Sequence, residues 1–316
     1  MPLIIVTTSP RVAPGLLTER AWAVLRNERV LTGSADHPVL PYLEGVSAEV
    51  RTDPAGVAAE SRDGVVVWLA AQDGDEAFLR AVGHAALAMP EPPEIELVPG
   101  SYDLPGARVL DMVTVMDRLR RECPWDGKQT HESLVPYLLE EAYEVLETIE
   151  AGDYPALREE LGDLLFQVVF HARVAQERED GFDIDDVAGA IVDKLVRRHP
   201  HVFAGLEVAD ADEVNANWEA IKRAERAAKG DSSPLDGVPM GQPALSLAAQ
   251  LLRRGGDQAD FTPEGSELGL RLFALVREAR AAGLDPEAEL RQVARAYKAH
   301  VESGVSTGGR NARTGE

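Results

Sequence analysis

The chain has 316 residues, 45% of them hydrophobic, and a formal net charge of −22 at pH 7. This length allows two or three domains, each with a buried core. The negative charge disfavours a duplex nucleic-acid partner, because proteins that bind a duplex present a basic face to its phosphates. A nucleotide remains compatible with the charge, since divalent cations can lie between protein carboxylates and a polyphosphate.

The sequence also predicts a cytoplasmic protein without a membrane partner. Cys123 is the single cysteine, so no internal disulfide can form and a reducing compartment is expected. The opening segment MPLIIVTTSPRVAPG has a short apolar run and no basic leader. A membrane span needs roughly 20 apolar residues and a signal peptide also needs a longer run, so LIIV is interpreted as a buried strand.

Residues 1–100 alternate strand-like and helix-like segments. In chain order these segments are LIIVTT, LTERAWAVLRN, RVLTG, VVVWLAA and DEAFLRAVGHAALAM. This alternation predicts βαβ units around a small parallel sheet. The segment MPEPPEIELVPGSYDLPG is rich in proline and glycine and is predicted to be the linker that ends this α/β domain.

From Ala107 onward the sequence predicts successive helices, and residues 107–229 are expected to form an all-α bundle. In the turn AGDYP, Gly152 ends one helix and Asp153 begins the next, which favours antiparallel neighbours. A second linker, a smaller helical segment at 244–302 and a disordered tail at 303–316 are predicted to follow. The predicted fold class is therefore α+β, with a small α/β domain ahead of a helical bundle.

Acidic residues concentrate on the first helix of the AGDYP pair. At about 100° per residue, Glu140, Glu141, Glu144 and Glu147 fall on one side of the helix, opposite a set of apolar side chains. Taken alone, this pattern is more typical of a solvated acidic face than of a binding site.

The second helix of the pair changes that interpretation. From residue 161 to residue 175 it is apolar on nearly every side, which predicts that it is buried. Its polar residues follow one narrow stripe: Glu160, Asp163, Gln167 and His171. Carboxylates on a buried helix are costly unless they are paired or bind a metal. Two facing acidic stripes would form an all-oxygen site for Mg²⁺, with Mn²⁺ as a possible substitute.

A di-iron carboxylate bundle is the alternative metal site. Such bundles supply Glu-x-x-His pairs, whereas Glu144 and Asp163 stand three positions after Glu141 and Glu160. His171 lies more than two turns beyond Glu160 and does not complete that motif. An oxidoreductase is therefore disfavoured.

The two stripes spell Glu-Glu-x-x-Glu followed by Glu-x-x-Asp, within the run from CPWDGKQT to FHARVAQE. Together with DKLVRRHPHVF and VNANWEAIKRAE, this run resembles the MazG family of nucleoside triphosphate pyrophosphohydrolases. The resemblance covers residues 107–229 and implies an all-α, Mg²⁺-dependent enzyme that hydrolyses NTP or dNTP to the monophosphate and pyrophosphate, usually as a homodimer. The residues it implies as Mg²⁺ ligands are Glu141, Glu144, Glu160 and Asp163.

The resemblance also implies catalytic and substrate-binding residues. Glu140, beside Glu141, is a candidate for orienting or deprotonating the attacking water. Phosphate contacts are implied at Lys194, Arg197 and Arg198, although cations are also favourable at any helix C-terminus.

Two further substrate contacts are expected at Trp218 and Arg158. Trp218 would stack on the base, although an aromatic residue in a core is commoner. Arg158 would reach a phosphate, although a surface arginine at a helix start usually has no such role.

The beginning of the chain resembles a second family. IIVTTSPRVAPGLLTERAWAVLR followed by TGSADHPVLPYL is similar to the opening of a tetrapyrrole methylase domain. This chain has TTSPRVAPG where that family has a glycine-rich turn, and much of the usual domain length is absent. Methyl transfer is disfavoured, so residues 1–100 are interpreted as a structural or partner-binding remnant.

One segment of the chain is repeated. ELGDLLFQVVFHAR at 160–173 recurs as ELGLRLFALVREAR at 267–280, with eight of fourteen positions identical. Glu267 keeps the first acid, but Leu270 replaces the aspartate. The segment is interpreted as a decayed second pyrophosphohydrolase unit that binds no catalytic metal.

These patterns predict an Mg²⁺-dependent NTP pyrophosphohydrolase with a sanitising role toward nucleotides. The alternative is a non-catalytic module that binds a nucleotide or a protein partner, which the intact set of acids disfavours.

Overall fold

The computed structural model describes residues 2–62, 64–72, 74–228, 233–256, 261 and 264–308. Contacts between Cα atoms divide the chain into two compact units, Met1–Ile191 and Val192–Glu316. This division differs from the boundaries predicted near residues 100 and 229. Within the described ranges, no helix has the length and apolar character needed to cross a bilayer.

The first unit begins with a five-stranded sheet in which every neighbouring pair of strands is parallel. The strands are β1 (Leu3–Thr7), β2 (Arg29–Thr32), β3 (Glu49–Val50), β4 (Val66–Leu69) and β5 (Ile95–Pro99). Their order in the sheet is β3-β2-β4-β1-β5.

Helices cover both faces of this sheet. They are α1 (Glu19–Asn27), α2 (Pro54–Glu60) and α3 (Glu76–Leu87). Leu3 and Ile5 of β1 share one core with α2 and α3, while Ile4 and Val6 share the other core with α1. This burial on two faces explains why β1 and β4 are continuous apolar runs that the sequence identifies readily.

The predicted linker before the helical region is wrong in part, because it contains β5. Composition suggested a linker, since proline lacks the N–H that a strand interior needs. Here Pro99 is the last residue of β5, which pairs with β1 at the edge of the described sheet, so the missing donor costs little. β3 and α2 were also missing from the sequence-based assignment, because each is short.

Ion pairs connect the sheet region to the first long helix. The Arg11 guanidinium lies 2.6 Å from a carboxylate oxygen of Asp103 and 2.5 Å from one of Asp111, and only 10% of its side chain is exposed. Asp111 belongs to helix α4 (Arg108–Glu122). These contacts explain why the compact unit does not end at the predicted boundary near residue 100.

Three helices follow in the first unit and into the second: α5 (His131–Ala151), α6 (Tyr154–Ala175) and α7 (Ile184–Arg198). The boundary between the two units falls inside α7. A core of Met116, Leu134, Val169 and Phe170 joins α4, α5 and α6. This core packs the first part of α5 against the last part of α6.

The turn between α5 and α6 has the predicted chemistry. Gly152 adopts φ 69°, in the left-handed region that favours glycine. The Asp153 side chain accepts a hydrogen bond from the Ala156 backbone N–H at 3.2 Å and so caps α6. The turn therefore makes α5 and α6 antiparallel neighbours, as predicted.

The prediction that α6 is buried on nearly every side is wrong for the single chain. Val169 and Phe170 are buried, but Leu161 is 49% exposed and Leu165 37% exposed. Helices α4 and α5 cover one side of α6, and its opposite side remains uncovered in the single chain.

In its described residues, the second unit contains the end of α7 and five further helices. They are α8 (Pro200–Phe203), α9 (Ala211–Ala228), α10 (Ala244–Gly255), α11 (Glu267–Ala281) and α12 (Pro286–Gly308). Helix α10 packs against α11 and α12. Helix α12 continues past residue 302, where the tail was predicted to begin, and residues 309–316 of that prediction lie outside the described residues.

The sheet contains a buried hydroxyl whose removal should stabilise the fold. Thr32 is 1% exposed, and its Oγ1 has no hydrogen-bond partner among the described residues. Thr32→Val keeps the shape and removes the unpaired group, so we expect it to raise the free energy of unfolding by about 1 kcal/mol. Calorimetric melting of the two proteins measures this change. Thr32→Ala is the control, because it also removes a buried methyl and should lower the Tm; a lower Tm for Thr32→Val would contradict the assignment.

Candidate active site

Three carboxylates converge where α5 faces α6. Glu141 and Glu144 are three positions apart on α5, and Glu160 lies in the first third of α6. One oxygen from each carboxylate lies within 4.8 Å of the others. The antiparallel turn at Gly152 thus brings the two predicted acidic stripes together.

The electrostatics of this cluster are unfavourable for the protein alone. Partial burial raises the pKa of Glu141 above its usual value, and repulsion from Asp163 and Glu144 raises it further. Partial burial, followed by the charges of Glu144 and Asp163, likewise raises the pKa of Glu160. The charge of Asp163 therefore acts on both glutamates, although Asp163 does not belong to the group of carboxylates within 4.8 Å of one another.

The donor set fits a hard divalent cation. All of the converging groups are carboxylate oxygens, which Mg²⁺ and Mn²⁺ accept as ligands. No histidine or cysteine belongs to the cluster of Glu141, Glu144 and Glu160, so a soft metal or a Glu-x-x-His di-iron site is a poorer match. A cation between these oxygens would replace their mutual repulsion with attraction.

Two other predicted residues lie on the exposed surface of the same two helices. Glu140 is exposed and adds to the repulsion that raises the pKa of Glu141. Arg158 has a side chain that is 84% exposed, and its guanidinium lies 3.8 Å from Glu159. The structure therefore places Glu140 beside the acids and gives Arg158 only a loose surface ion pair.

The remaining predicted residues lie in the second unit. Arg197 and Arg198 both bind Glu225 of α9, at 2.8 and 2.6 Å, and Arg198 followed by Arg197 lowers the pKa of Glu225 to about 2. Lys194 is half-buried on the same helix. Positive charge at the end of α7 therefore lies beside the Glu225 carboxylate, with which both arginines are already paired.

Trp218 of α9 lies against His199 and Arg198. Its ring centroid is 4.8 Å from that of His199, and the Arg198 guanidinium carbon lies 5.3 Å from the Trp218 ring centroid. The ring is half-buried, so Trp218 is neither a fully enclosed core residue nor an isolated surface aromatic.

A pair of histidines that the sequence did not predict connects α5 to α6. The Nδ1 atoms of His131 on α5 and His171 on α6 lie 2.8 Å apart, with the two rings nearly parallel. Burial, and then the neighbouring His131, lower the pKa of His171. The stripe on α6 had already singled out His171, but its partner depends on the register between the helices, which a single sequence does not give.

A crowded, all-carboxylate cluster on an antiparallel helix pair defines a helical region with a candidate site for a hard cation. The MazG nucleotide pyrophosphohydrolase domain matches residues 129–203, a range that contains both acidic stripes. The chain belongs to this family, as its sequence motifs predicted.

Curated relatives share much of the chain. A Streptomyces cacaoi protein, described as an uncharacterized 26.1 kDa protein in the blaB 3′ region, is 50% identical over 227 residues, covering 71% of this chain and 92% of that protein. The Escherichia coli K12 nucleoside triphosphate pyrophosphohydrolase is 46% identical over 181 residues, covering 55% and 68%. The Thermotoga maritima nucleoside triphosphate pyrophosphohydrolase/pyrophosphatase MazG is 38% identical over 214 residues, covering 59% and 81%.

The raised pKa of Glu141 predicts a pH-dependent stability change. A carboxyl with a raised folded-state pKa costs no stability below its ordinary value of 4.5, and it destabilises the fold as pH rises through the folded-state value. We therefore expect Glu141→Gln to raise the metal-free Tm at about pH 7.5 and to have little effect at about pH 4. Thermal melts with a chelator present measure both.

Glu147→Gln is the matched control for this prediction, because Glu147 is an exposed glutamate on the same helix. An equal change in Tm for the two variants, or a lower Tm for Glu141→Gln at the higher pH, would show that the cluster is not under repulsion.

Proposed function

We propose that this chain hydrolyses nucleoside triphosphates, NTP or dNTP, to the monophosphate and pyrophosphate. The observation that carries the proposal is the convergence of Glu141, Glu144 and Glu160 across α5 and α6, within the part of the chain that matches the MazG domain. The Escherichia coli and Thermotoga maritima relatives, of which this chain covers 68% and 81%, are described as nucleoside triphosphate pyrophosphohydrolases. We further propose that the activity sanitises the nucleotide pool.

The cofactor we propose is Mg²⁺, with Mn²⁺ as a substitute. Its ligands would be Glu141, Glu144, Glu160 and Asp163, the four acids whose charges act on one another. When bound, the cation would supply positive charge to neutralise the phosphate oxygens of the substrate.

The protein's own groups would position the water and the substrate. Glu140, exposed beside Glu141, would accept a proton through its carboxylate from the water that attacks the α-phosphorus. Pyrophosphate would then leave. Lys194, Arg197 and Arg198 are the proposed phosphate contacts, and a phosphate would have to share the two arginines with Glu225.

Trp218 and Arg158 complete the proposed substrate contacts. Trp218 would stack on the base, for which its half-buried ring leaves a surface. Arg158 is free to swing toward a phosphate, since its ion pair with Glu159 is exposed and long.

A homodimer is proposed because α5 and α6 expose large apolar side chains. Leu139 is 52% and Ile149 55% exposed on α5, and Leu161 is 49% exposed on α6. Large exposed apolar side chains concentrated on one pair of helices are typical of an interface. A second copy of the chain would cover the side of α6 that α4 and α5 leave open.

We propose no catalytic role for the other regions of the chain. Residues 1–100 are proposed to be a tetrapyrrole-methylase-like remnant without methyl transfer, serving structure or a partner. Residues 244–302 are proposed to be a decayed second MazG-like segment. The cytoplasmic location and the absence of duplex nucleic-acid and membrane partners stay predictions.

The two copies of the ELG motif give a matched test of activity. We expect wild type with Mg²⁺ to release pyrophosphate rather than phosphate from at least one NTP or dNTP. Glu160→Ala should lower kcat by about 100-fold or more, because losing a cation ligand removes several kcal/mol of charge stabilisation. Glu267→Ala changes the corresponding acid of the decayed copy and should leave kcat unchanged.

Equal loss of turnover in these two folded variants would show that the second copy contributes to catalysis. Release of neither pyrophosphate nor phosphate by wild type, across all substrates and both metals, would favour the non-catalytic binding module.

Trp218 gives a separate prediction about substrate binding. Trp218→Ala should raise KM about tenfold with kcat nearly unchanged, because stacking of about 1–3 kcal/mol is present in both the ground and transition states. Trp218→Phe should restore most of the affinity. Steady-state kinetics checks both variants, and loss of helical signal in circular dichroism for Trp218→Ala would instead assign the ring a structural role.

A further inference from the structure

Gln167 has a buried side-chain amide oxygen without a hydrogen-bond partner in the described part of the chain. It lies on α6, is 5% exposed, and its Oε1 has no partner among the residues that the structure describes. An unpaired buried amide oxygen destabilises the fold, because it has lost its hydrogen bonds to water. Because most buried polar groups in proteins are paired, such an exception indicates a group that gains its partner from outside the chain.

The position of Gln167 on α6 directs it toward α5. Glu160 and His171 both reach side chains of α5, the first in the acidic cluster and the second through His131. At about 100° per residue, Gln167 lies within about 40° of both around the helix axis. It therefore lies in the seam between α5 and α6, with the acids at one end and the histidine pair at the other.

The distance along α6 between the acidic residues and Gln167 determines which part of a bound nucleotide Gln167 can contact. Gln167 is four residues, or about 6 Å, beyond Asp163. With the phosphates at the carboxylates, the next group along a nucleotide is the sugar, whose 3′-hydroxyl is joined to the α-phosphorus through O5′, C5′, C4′ and C3′. The base lies further on.

The chemistry of the amide agrees with this position. Oε1 only accepts hydrogen bonds, so it cannot pair with phosphate oxygens, which are also acceptors. A sugar hydroxyl both donates and accepts, as the two ends of an amide require. The structure covers Oε1, so the side chain would turn about its χ angles to meet the sugar.

We infer that Gln167 is a specificity-determining residue that accepts a hydrogen bond from the 3′-hydroxyl of a nucleoside triphosphate bound at the acidic cluster. The inference rests on the proposed pyrophosphohydrolase function and extends it to recognition of the sugar. The site then selects nucleotides with a free 3′-hydroxyl, shared by NTP and dNTP, over 3′-deoxy analogues.

A cycle of two substrates and two proteins tests the inference. The best dNTP substrate of wild type is compared with its 2′,3′-dideoxy counterpart, for wild type and for Gln167→Met. Methionine matches the length of glutamine without its polar atoms. We expect wild type to lose about tenfold in kcat/KM when the hydroxyl is removed, because a site built to bind a hydroxyl rejects the analogue that lacks it.

Gln167→Met should lose a similar factor on the dNTP and show almost no further loss on the dideoxy substrate. Its Tm should be equal to or above that of wild type, since the unpaired amide is gone. Gln176→Met is the matched control, because it makes the same change on an exposed residue just beyond the end of α6, and it should discriminate as wild type does. Should Gln167→Met not fold, Gln167→Leu takes its place.

The possible results distinguish the role of Gln167 from the proposed pyrophosphohydrolase function. Full discrimination by the Gln167 variant, or no discrimination by wild type, overturns the role of Gln167 while leaving the pyrophosphohydrolase function standing. Failure of wild type to hydrolyse any triphosphate overturns the proposed function and the role of Gln167 with it.

Discussion

The main constraint on the helical region is the repulsion among carboxylates where α5 meets α6. Glu141, Glu144 and Glu160 lie within 4.8 Å of one another, and burial together with their mutual charge raises the pKa of Glu141 and of Glu160. Repulsion at this point opposes the packing that the apolar core of α4, α5 and α6 stabilises. Such an arrangement persists in a marginally stable protein when a bound cation recovers the lost free energy.

The turn at Gly152 and Asp153 makes the cluster possible, since it sets the antiparallel register of the two helices. The same register places Gln167 in the seam and joins His131 to His171 at its far end. Along one face of α6 the side chains therefore change from charged carboxylates to neutral polar groups. That order matches the order of chemical groups in a nucleotide, from phosphate to sugar.

Much of this could be predicted from the sequence, where the signal is local. The continuous apolar runs of β1 and β4 and the spacing of Glu160 and Asp163 are patterns that a few consecutive residues already show. β5 was missed because its proline content outweighed its pairing, which depends on a strand about ninety residues earlier. The exposure of Leu161 and the pairing of His131 could not be predicted either, because both depend on which neighbours cover each helix face.

The central claim is that the crowded acids are a divalent-cation site, and titration with Mn²⁺ followed by electron paramagnetic resonance tests it directly. The signal of free Mn²⁺ should be suppressed by wild type until the site is saturated, and Mg²⁺ should restore it by competition. Asp163→Asn should weaken the affinity by tenfold or more, about 1.4 kcal/mol, because it removes one charged oxygen ligand. Equal Mn²⁺ binding by wild type and the variant, or none by wild type, would contradict the account.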